Sequence, residues 1–256
     1  MLITSEKNDL IKDIKKLSEK KYRYEKKLFF VEGKNSVFEA LKSGFEIKYV
    51  LVSEDCDIDL DVEKDRLIFV DKGIFKKISD TVTPQMIMAV VKMHDYNVND
   101  LIKEDGLYII LDEVQDPGNL GTIIRSADAF NVDAVFTINN TVDVYNPKAL
   151  RSTMGSIFHL PVVNDVPVDK LFEALKRNGV RVLSTNLKAE KYIYDCDISK
   201  NIALIFGNES RGVNKSLDIY VDGSFKIPMD GMAESLNVSV AASICLYESQ
   251  RQRLIK

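Results

Sequence analysis

Residues 107–138 read LYIILDEVQDPGNLGTIIRSADAFNVDAVFTI. LYIIL (107–111) is a short apolar run of buried-strand type, and DAVFTI (133–138) is a second. Between them, NLGTIIRSADAF (119–130) has helical spacing with Asn119 near its start, reached through a turn at Asp116-Pro117-Gly118. Strand, helix and strand in this order predict an α/β fold with a mostly parallel sheet. Ligands of open α/β sheets sit at the carboxyl ends of strands, so the turn after LYIIL is a candidate ligand edge.

The same alternation continues downstream. Residues 168–178 form a helix, VRVLST (180–185) a strand and NIALIFG (201–207) a buried strand; SLNVSVAASICLYESQRQRL (235–254) is a long C-terminal helix. Upstream, Asn8 to Lys20 makes a short amphipathic helix, and LFFVE (28–32), IKYVLVS (47–53), RLIFV (66–70) and QMIMAVVKM (85–93) read as strands. Ser36 is placed to cap a helix ending at Gly44, and VDKGIFKKIS supplies another. SEDCDIDLDVEKD (53–65) is an acidic loop. The expected organisation is a small N-terminal α/β domain (1–93), a polar linker or connecting helix (94–106) and a larger α/β domain (107–256).

At 256 residues, 45% hydrophobic and 29% charged, the chain is globular in composition. No apolar run approaches the roughly 18 residues of a membrane span, and the charged N-terminus is unlike a secretory signal, so a cytoplasmic location is expected. Cys56, Cys196 and Cys245 lie far apart with no CxxC pair, and His94 and His159 lack partners at metal spacing. Neither a disulfide framework nor a metal site is expected. Catalysis would then rest on Asn, Arg, Ser, Glu and backbone groups. Charge is uneven: residues 1–27 hold nine Lys/Arg against five Asp/Glu, whereas the remainder holds 26 against 34. A basic head on an acidic body fits either a polyanion contact or a solvated helix face.

Three segments carry candidate chemistry. In the first, Asn119 and Arg125 lie within two turns of one helix; the plainer reading is a capped helix with Arg125 pairing Asp128. The second, IFGNESRGV (205–213), runs from a strand into a glycine-flanked turn carrying Glu209 and Arg211. It lacks the Lys-Ser/Thr of a phosphate loop, and no GxGxxG occurs anywhere. The third, KIPMDGMAESLNVSVAASICLYE (226–248), passes through a loop to a helix with small residues Ser239, Ala241, Ala242 and Ser243. Free backbone groups beside a helix start suit the edge of a flat heterocycle, although an ordinary capped helix would read the same.

Together these segments resemble motifs 1, 2 and 3 of the SpoU (TrmH-like) branch of the SPOUT RNA methyltransferases. Motif 1 holds Asn119, Gly121 and Arg125, motif 2 is GNESRG, and motif 3 is IPMDGMAESLNVSVA. KLFFVEGKNSVFEAL and TPQMIMAVV resemble the family's N-terminal substrate-binding extension. The resemblance implies a C-terminal sheet tied in a trefoil knot, S-adenosylmethionine as cofactor, RNA as partner and a homodimer. It implies methyl transfer to a ribose 2′-hydroxyl, of ribosomal RNA given the N-terminal domain. A transfer RNA ribose methyltransferase or an inactive RNA-binding member are the alternatives. By the same resemblance Asn119, Arg125, Glu209, Ser235 and Asn237 are catalytic, and Thr185, Gly207, Ile227, Met229 and Leu236 hold the cofactor. Lys12, Lys16, Lys20, Lys21, Arg23, Lys27 and Arg211 would then grip RNA phosphate.

Overall fold

The computed structural model describes residues 2–56, 58, 60 and 62–255, in two compact units. Asp57, Asp59 and Asp61 of the acidic stretch lie outside the described residues.

The first unit takes residues 1–95 together with 145–159. Along the first segment run β1 (Leu2–Ile3), α1 (Asp9–Lys16), α2 (Lys20–Lys26), β2 (Leu28–Glu32), α3 (Lys34–Lys42), β3 (Ile47–Ser53), β4 (Leu67–Val70), α4 (Lys72–Ile78) and β5 (Ile87–Lys92). The strands form one sheet in the order β1-β4-β3-β5-β2, with β5 antiparallel to both neighbours and the other pairs parallel. Ile11 and Ile14 of α1 join Ile74, Phe75 and Ile78 of α4 in burying Phe30, Leu51, Met88 and Val90.

The helix expected over 8–20 ends at Lys16, and a second helix follows; Arg23 folds back from it to donate to Leu17 O at 2.8 Å and Ser18 O at 2.7 Å. These bonds satisfy carbonyls that a helix end leaves open. In addition, α3 is capped by Gly33 at φ 97°, not by Ser36, which is buried inside it. Gln85 Oε1 accepts from Lys34 N at 2.7 Å and so provides the acceptor that glycine lacks.

The second unit takes residues 96–144 and 160–256. The remaining elements are α5 (Val98–Leu101), β6 (Leu107–Asp112), α6 (Pro117–Ala129), β7 (Ala134–Ile138), α7 (Pro147–Thr153, in the first unit), β8 (Val162–Val163), α8 (Val168–Arg177), β9 (Arg181–Thr185), β10 (Ile202–Phe206), β11 (Gly223–Phe225) and α9 (Val238–Ile255). Six strands form an all-parallel sheet in the order β11-β9-β10-β6-β7-β8. Every residue of β6, β7 and β10 is buried, as expected of a sheet covered on both faces. One face packs Tyr108, Ile110, Phe136 and Ile205 against Leu171, Phe172 and Leu175 of α8. The chain progresses from β6 outward to β7 and β8, then places β9, β10 and β11 on the other side. The β6–β10 boundary is therefore the switch point at which α/β sheets open a crevice.

Helix starts differ from the sequence reading in an instructive way. α6 begins at Pro117, because Asp116 Oδ1 accepts from Asn119 N at 2.9 Å and the proline occupies the first turn. α9 begins at Val238, after Asn237 rather than at Ser235. The stretch 94–106 includes α5, and Ile102 is buried in the second unit's core.

Residues 145–159 leave the contiguous second domain for the first unit. Their rings account for this: Tyr145 lies 4.7 Å from Phe29, and Phe158 lies 5.2 Å from Phe45. Arg151 adds an ion pair to Asp80 at 2.6 Å. Among the described residues no helix is long and apolar enough to cross a membrane.

Candidate active site

The carboxyl end of β6 organises the turn that follows β10. Asp112 is fully buried and accepts from Asn139 Nδ2 at 2.8 Å and from Asn214 N at 2.7 Å. Burial pushes its carboxyl above the usual range, although both hydrogen bonds oppose the shift. Next in line, Glu113 sits at φ 55° and accepts from Arg211 at 2.6 Å and Asn214 Nδ2 at 3.2 Å, while its carbonyl accepts from Asn208 Nδ2 at 3.0 Å. Asn208 and Gly212 close the turn with reciprocal backbone bonds of 3.0 and 2.9 Å. A Cβ on Gly207 would come within 2.2 Å of the Gly212 and Val213 backbone. Glycine is thus required at 207 by the chain's own return. This constraint is separate from the cofactor contact that the resemblance implies for the same residue.

On this platform the three motifs meet. Asn237 Oδ1 accepts from Ser239 N at 2.8 Å and Ser239 Oγ at 2.6 Å at the start of α9, which turns its Nδ2 outward. That nitrogen donates to Asn119 Oδ1 at 2.9 Å, and Asn119 Nδ2 donates to Glu209 Oε1 at 3.0 Å. The amide orientations follow from the chemistry, because each oxygen faces a donor and each nitrogen an acceptor. Backbone N–H groups of Gln115 and Asp116 also point at Glu209, at 3.5 and 3.4 Å. Partial burial raises the Glu209 carboxyl, but Asn119 and these amides outweigh it and hold the group below its ordinary value. The result is a motif 2 carboxylate held at the switch point by Asn119 of motif 1, which Asn237 of motif 3 holds in turn.

The other expected catalytic residues stand apart from this chain. Arg125 lies about 120° round the helix from Asn119 by helical geometry. It is exposed, and it makes no hydrogen bond to Asn119, Glu209 or Asn237 among the described residues. Ser235 is exposed in the loop before α9.

Thr185, at the end of β9, donates to Ile205 O at 3.2 Å. Ile227, Met229 and Leu236 are half-buried in the irregular segment 227–237. Among the described residues, no backbone amide of 229–236 is hydrogen-bonded within the protein. Apolar side chains beside open backbone donors and acceptors fit the flat purine and ribose of S-adenosylmethionine.

The basic head divides into two kinds of residue. Lys16 and Lys26 each lie 5.5 Å from the centre of the Tyr22 ring, and Lys20 lies 5.7 Å from that of Tyr24. Lys21 is exposed, Lys12 pairs with Asp9 at 2.8 Å and Lys27 with Asp95 at 2.6 Å. Arg23 differs: it is only 2% exposed and its guanidinium holds the end of α1, so it is withdrawn from the RNA-contact set. Arg211 is exposed but anchored by Glu113. Sequence reasoning missed Asp112, Glu113, Asn139, Asn208 and Asn214. The available signal was an Asp-Glu pair at the end of a buried strand.

Residues 106–247 match the SpoU rRNA Methylase family, and residues 8–89 match the MRM3-like substrate binding domain. The chain is 41% identical over 247 residues to the 23S rRNA (guanosine(2553)-2'-O)-methyltransferase RlmP of Bacillus subtilis (strain 168), covering 96% of this chain and 97% of that one. Its structure is similar to that of an AdoMet-bound rRNA methyltransferase from Sinorhizobium meliloti, with TM-score 0.88, 32% identity and coverage of 98% and 97%. It is also similar to the SpoU methyltransferase AviRb from Streptomyces viridochromogenes in complex with AdoMet, with TM-score 0.87, 28% identity and coverage of 97% and 99%. The parallel sheet, the three meeting motifs and these matches agree, and the chain belongs to the SpoU rRNA methylase family.

Proposed function

We propose that this protein transfers a methyl group from S-adenosylmethionine to a ribose 2′-hydroxyl of ribosomal RNA. The hydrogen-bonded run Asn237–Asn119–Glu209 carries the reading, because it joins the three motifs at the sheet's switch point. Ribosomal RNA is favoured over transfer RNA by the names of the relatives and by the match of residues 8–89 to a substrate-binding domain.

Thr185, Gly207, Ile227, Met229 and Leu236 would hold the cofactor. When bound, S-adenosylmethionine supplies a methyl group already activated by its sulfonium. What remains for the chain is to align the hydroxyl and to manage its proton. Arg125 is assigned to the substrate phosphate and ribose. Its guanidinium stays protonated, so it serves as a bidentate positioning group and stabilises the developing alkoxide, with the proton passing to phosphate or water. Glu209, fixed by Asn119, shapes the pocket electrostatically, and Ser235 and Asn237 define the edge of the loop. If Arg125→Lys kept most activity with an unchanged pH profile, the bidentate role would be wrong.

The first unit is read as the RNA grip, with Lys12, Lys16, Lys20, Lys21 and Lys27 supplying largely sequence-independent affinity; Arg211, of the second unit, is read as a further phosphate contact. The reading extends to a trefoil knot in the C-terminal sheet, to a cytoplasmic location and to a homodimer. Val240, Tyr247 and Leu254 support the dimer: they repeat every seven residues along α9 and are 46%, 60% and 76% exposed. Sedimentation of the purified protein tests it.

The function is tested with tritiated S-adenosylmethionine and total RNA from cells lacking the gene, with Arg125→Ala as control. Label in one position of large-subunit ribosomal RNA, absent with the variant, is expected. Label in the transfer RNA fraction would overturn the substrate assignment. Cofactor binding with no label in any RNA would overturn the activity.

A further inference from the structure

Between β9 and β10, two tyrosines stand stacked at the surface. Their ring centroids are 5.3 Å apart, the planes differ by 20°, and Tyr192 and Tyr194 are 36% and 55% exposed. The residue between them, Ile193, is buried and acts as their anchor. Ile193 N donates to Lys226 O at 2.9 Å and Lys226 N to Lys191 O at 3.0 Å, which locks the turn onto the end of β11. Tyr192 N donates to Asp195 Oδ2 at 3.1 Å and tightens it further. Lys226 Nζ lies 4.9 Å from the Tyr192 ring centre.

A turn fastened by this many bonds fixes the backbone that carries both rings, which lowers the ordering cost of binding. Folding does not call for it, since burying both rings would stabilise the unit more than exposing them. Its place in the chain is informative, because Lys226 leads directly into the 227–237 loop assigned to the cofactor. Desolvation, and after it the carboxylates of Asp195 and Asp230, push the Tyr194 phenol upward.

We propose that Tyr192 and Tyr194 form a stacking platform for an unpaired nucleobase of the RNA substrate beside the methyl-transfer site. The proposal rests on the RNA methyltransferase reading above. The chemistry selects a base rather than a phosphate: Lys188, Lys191 and Lys226 are offset locally by Glu190, Asp195 and Asp230, leaving π-surface as the dominant feature. Base–aromatic stacking is sequence-tolerant, and losing one such contact weakens binding by about 5- to 100-fold. The platform would contribute affinity with little salt dependence, in contrast to the lysines of the N-terminal head.

The test uses the full chain, unmethylated 23S ribosomal RNA transcript as probe, and the variants Tyr194→Ala, Tyr194→Phe and Tyr192→Ala. Tyr194→Ala should raise the KM for RNA by about 5- to 100-fold. It should leave kcat, the salt slope of RNA binding and the Kd for S-adenosylmethionine unchanged, and Tyr194→Phe should behave as wild type. Wild-type RNA affinity in both alanine variants would overturn the proposal. So would equal loss in Tyr194→Phe, which would point to the hydroxyl. Loss of cofactor binding in the alanine variants would also overturn it, by showing that the rings brace the loop. Failure of the wild-type protein to methylate any RNA would instead sink the functional reading itself.

Discussion

Replacing Asn237 separates two jobs that one side chain performs. Its Oδ1 caps α9 through Ser239 N at 2.8 Å, and its Nδ2 holds Asn119 at 2.9 Å. Asn237→Asp keeps an acceptor for the helix amides and adds a charge that the helix N-terminus favours. It cannot donate to Asn119 Oδ1, and it sets a second carboxylate near Glu209. Asn237→Ala loses both functions. A lost cap costs about 1 kcal/mol, which for a chain of this size lowers Tm by about 2–4 °C. The aspartate variant should therefore melt within a degree or so of wild type, about 0.5 kcal/mol either way. Both variants should lose at least about tenfold in kcat/KM, equivalent to about 1.4 kcal/mol of transition-state stabilisation. Thermal denaturation paired with methyl-transfer kinetics reads the two effects separately. A stable Asn237→Asp enzyme of wild-type activity would refute the claim that the Asn237–Asn119 bond organises the site.

Other consequences are equally direct. Gly207→Ala should cost about 3 kcal/mol or more, because the added Cβ meets backbone at 2.2 Å rather than a movable side chain; chemical denaturation measures it. Arg23→Ala should destabilise the protein by about 2 kcal/mol by stripping donors from Leu17 O and Ser18 O. It should leave the salt slope of RNA binding unchanged, whereas Lys20→Ala with Lys21→Ala should lower that slope by roughly one to two. The folded Glu209 carboxyl lies below its unfolded value, so its ionised form stabilises the site above the ordinary carboxylate pKa, and that contribution is lost as pH falls through the lowered value. Asn119→Ala should move the Glu209 titration upward, as followed by carboxyl-carbon NMR.

Much of the fold was legible because local patterns agreed with the tertiary outcome. IKYVLVS is β3 over its full length, and the strand cores of β6, β7, β9 and β10 lie within the apolar runs that announced them. Errors gathered at helix starts, where the capping group decides the boundary. Asp116 and Asn237 each cap from outside the helix, and Gly33 does so with help from Gln85, which accepts from Lys34 N across fifty-one positions. α7 went unread although Asn146 and Pro147 form a cap and first-turn pair. Its membership of the first unit depends on Phe29 and Phe45, which no local window contains. At the site, Asn119, Glu209 and Asn237 could be named from motif resemblance, but the bonds joining them span 90 and 118 positions. Asn208 and Arg211 stand in motif 2, but no motif announced Asp112 and Glu113 as the residues that clamp them together with Asn214. Arg23 was misplaced because charge alone cannot distinguish a solvated arginine from one turned inward onto carbonyls.

Where the methyl group goes is the most direct test of the enzyme's chemistry. Purified protein should be incubated with deuteromethyl S-adenosylmethionine and unmethylated ribosomal RNA, and the digested nucleosides resolved by mass spectrometry. The label is predicted on the ribose of a single nucleoside in 23S ribosomal RNA, with the base fragment unlabelled and transfer lost in Arg125→Ala. Label on a base fragment, or undiminished transfer by Arg125→Ala, would contradict it.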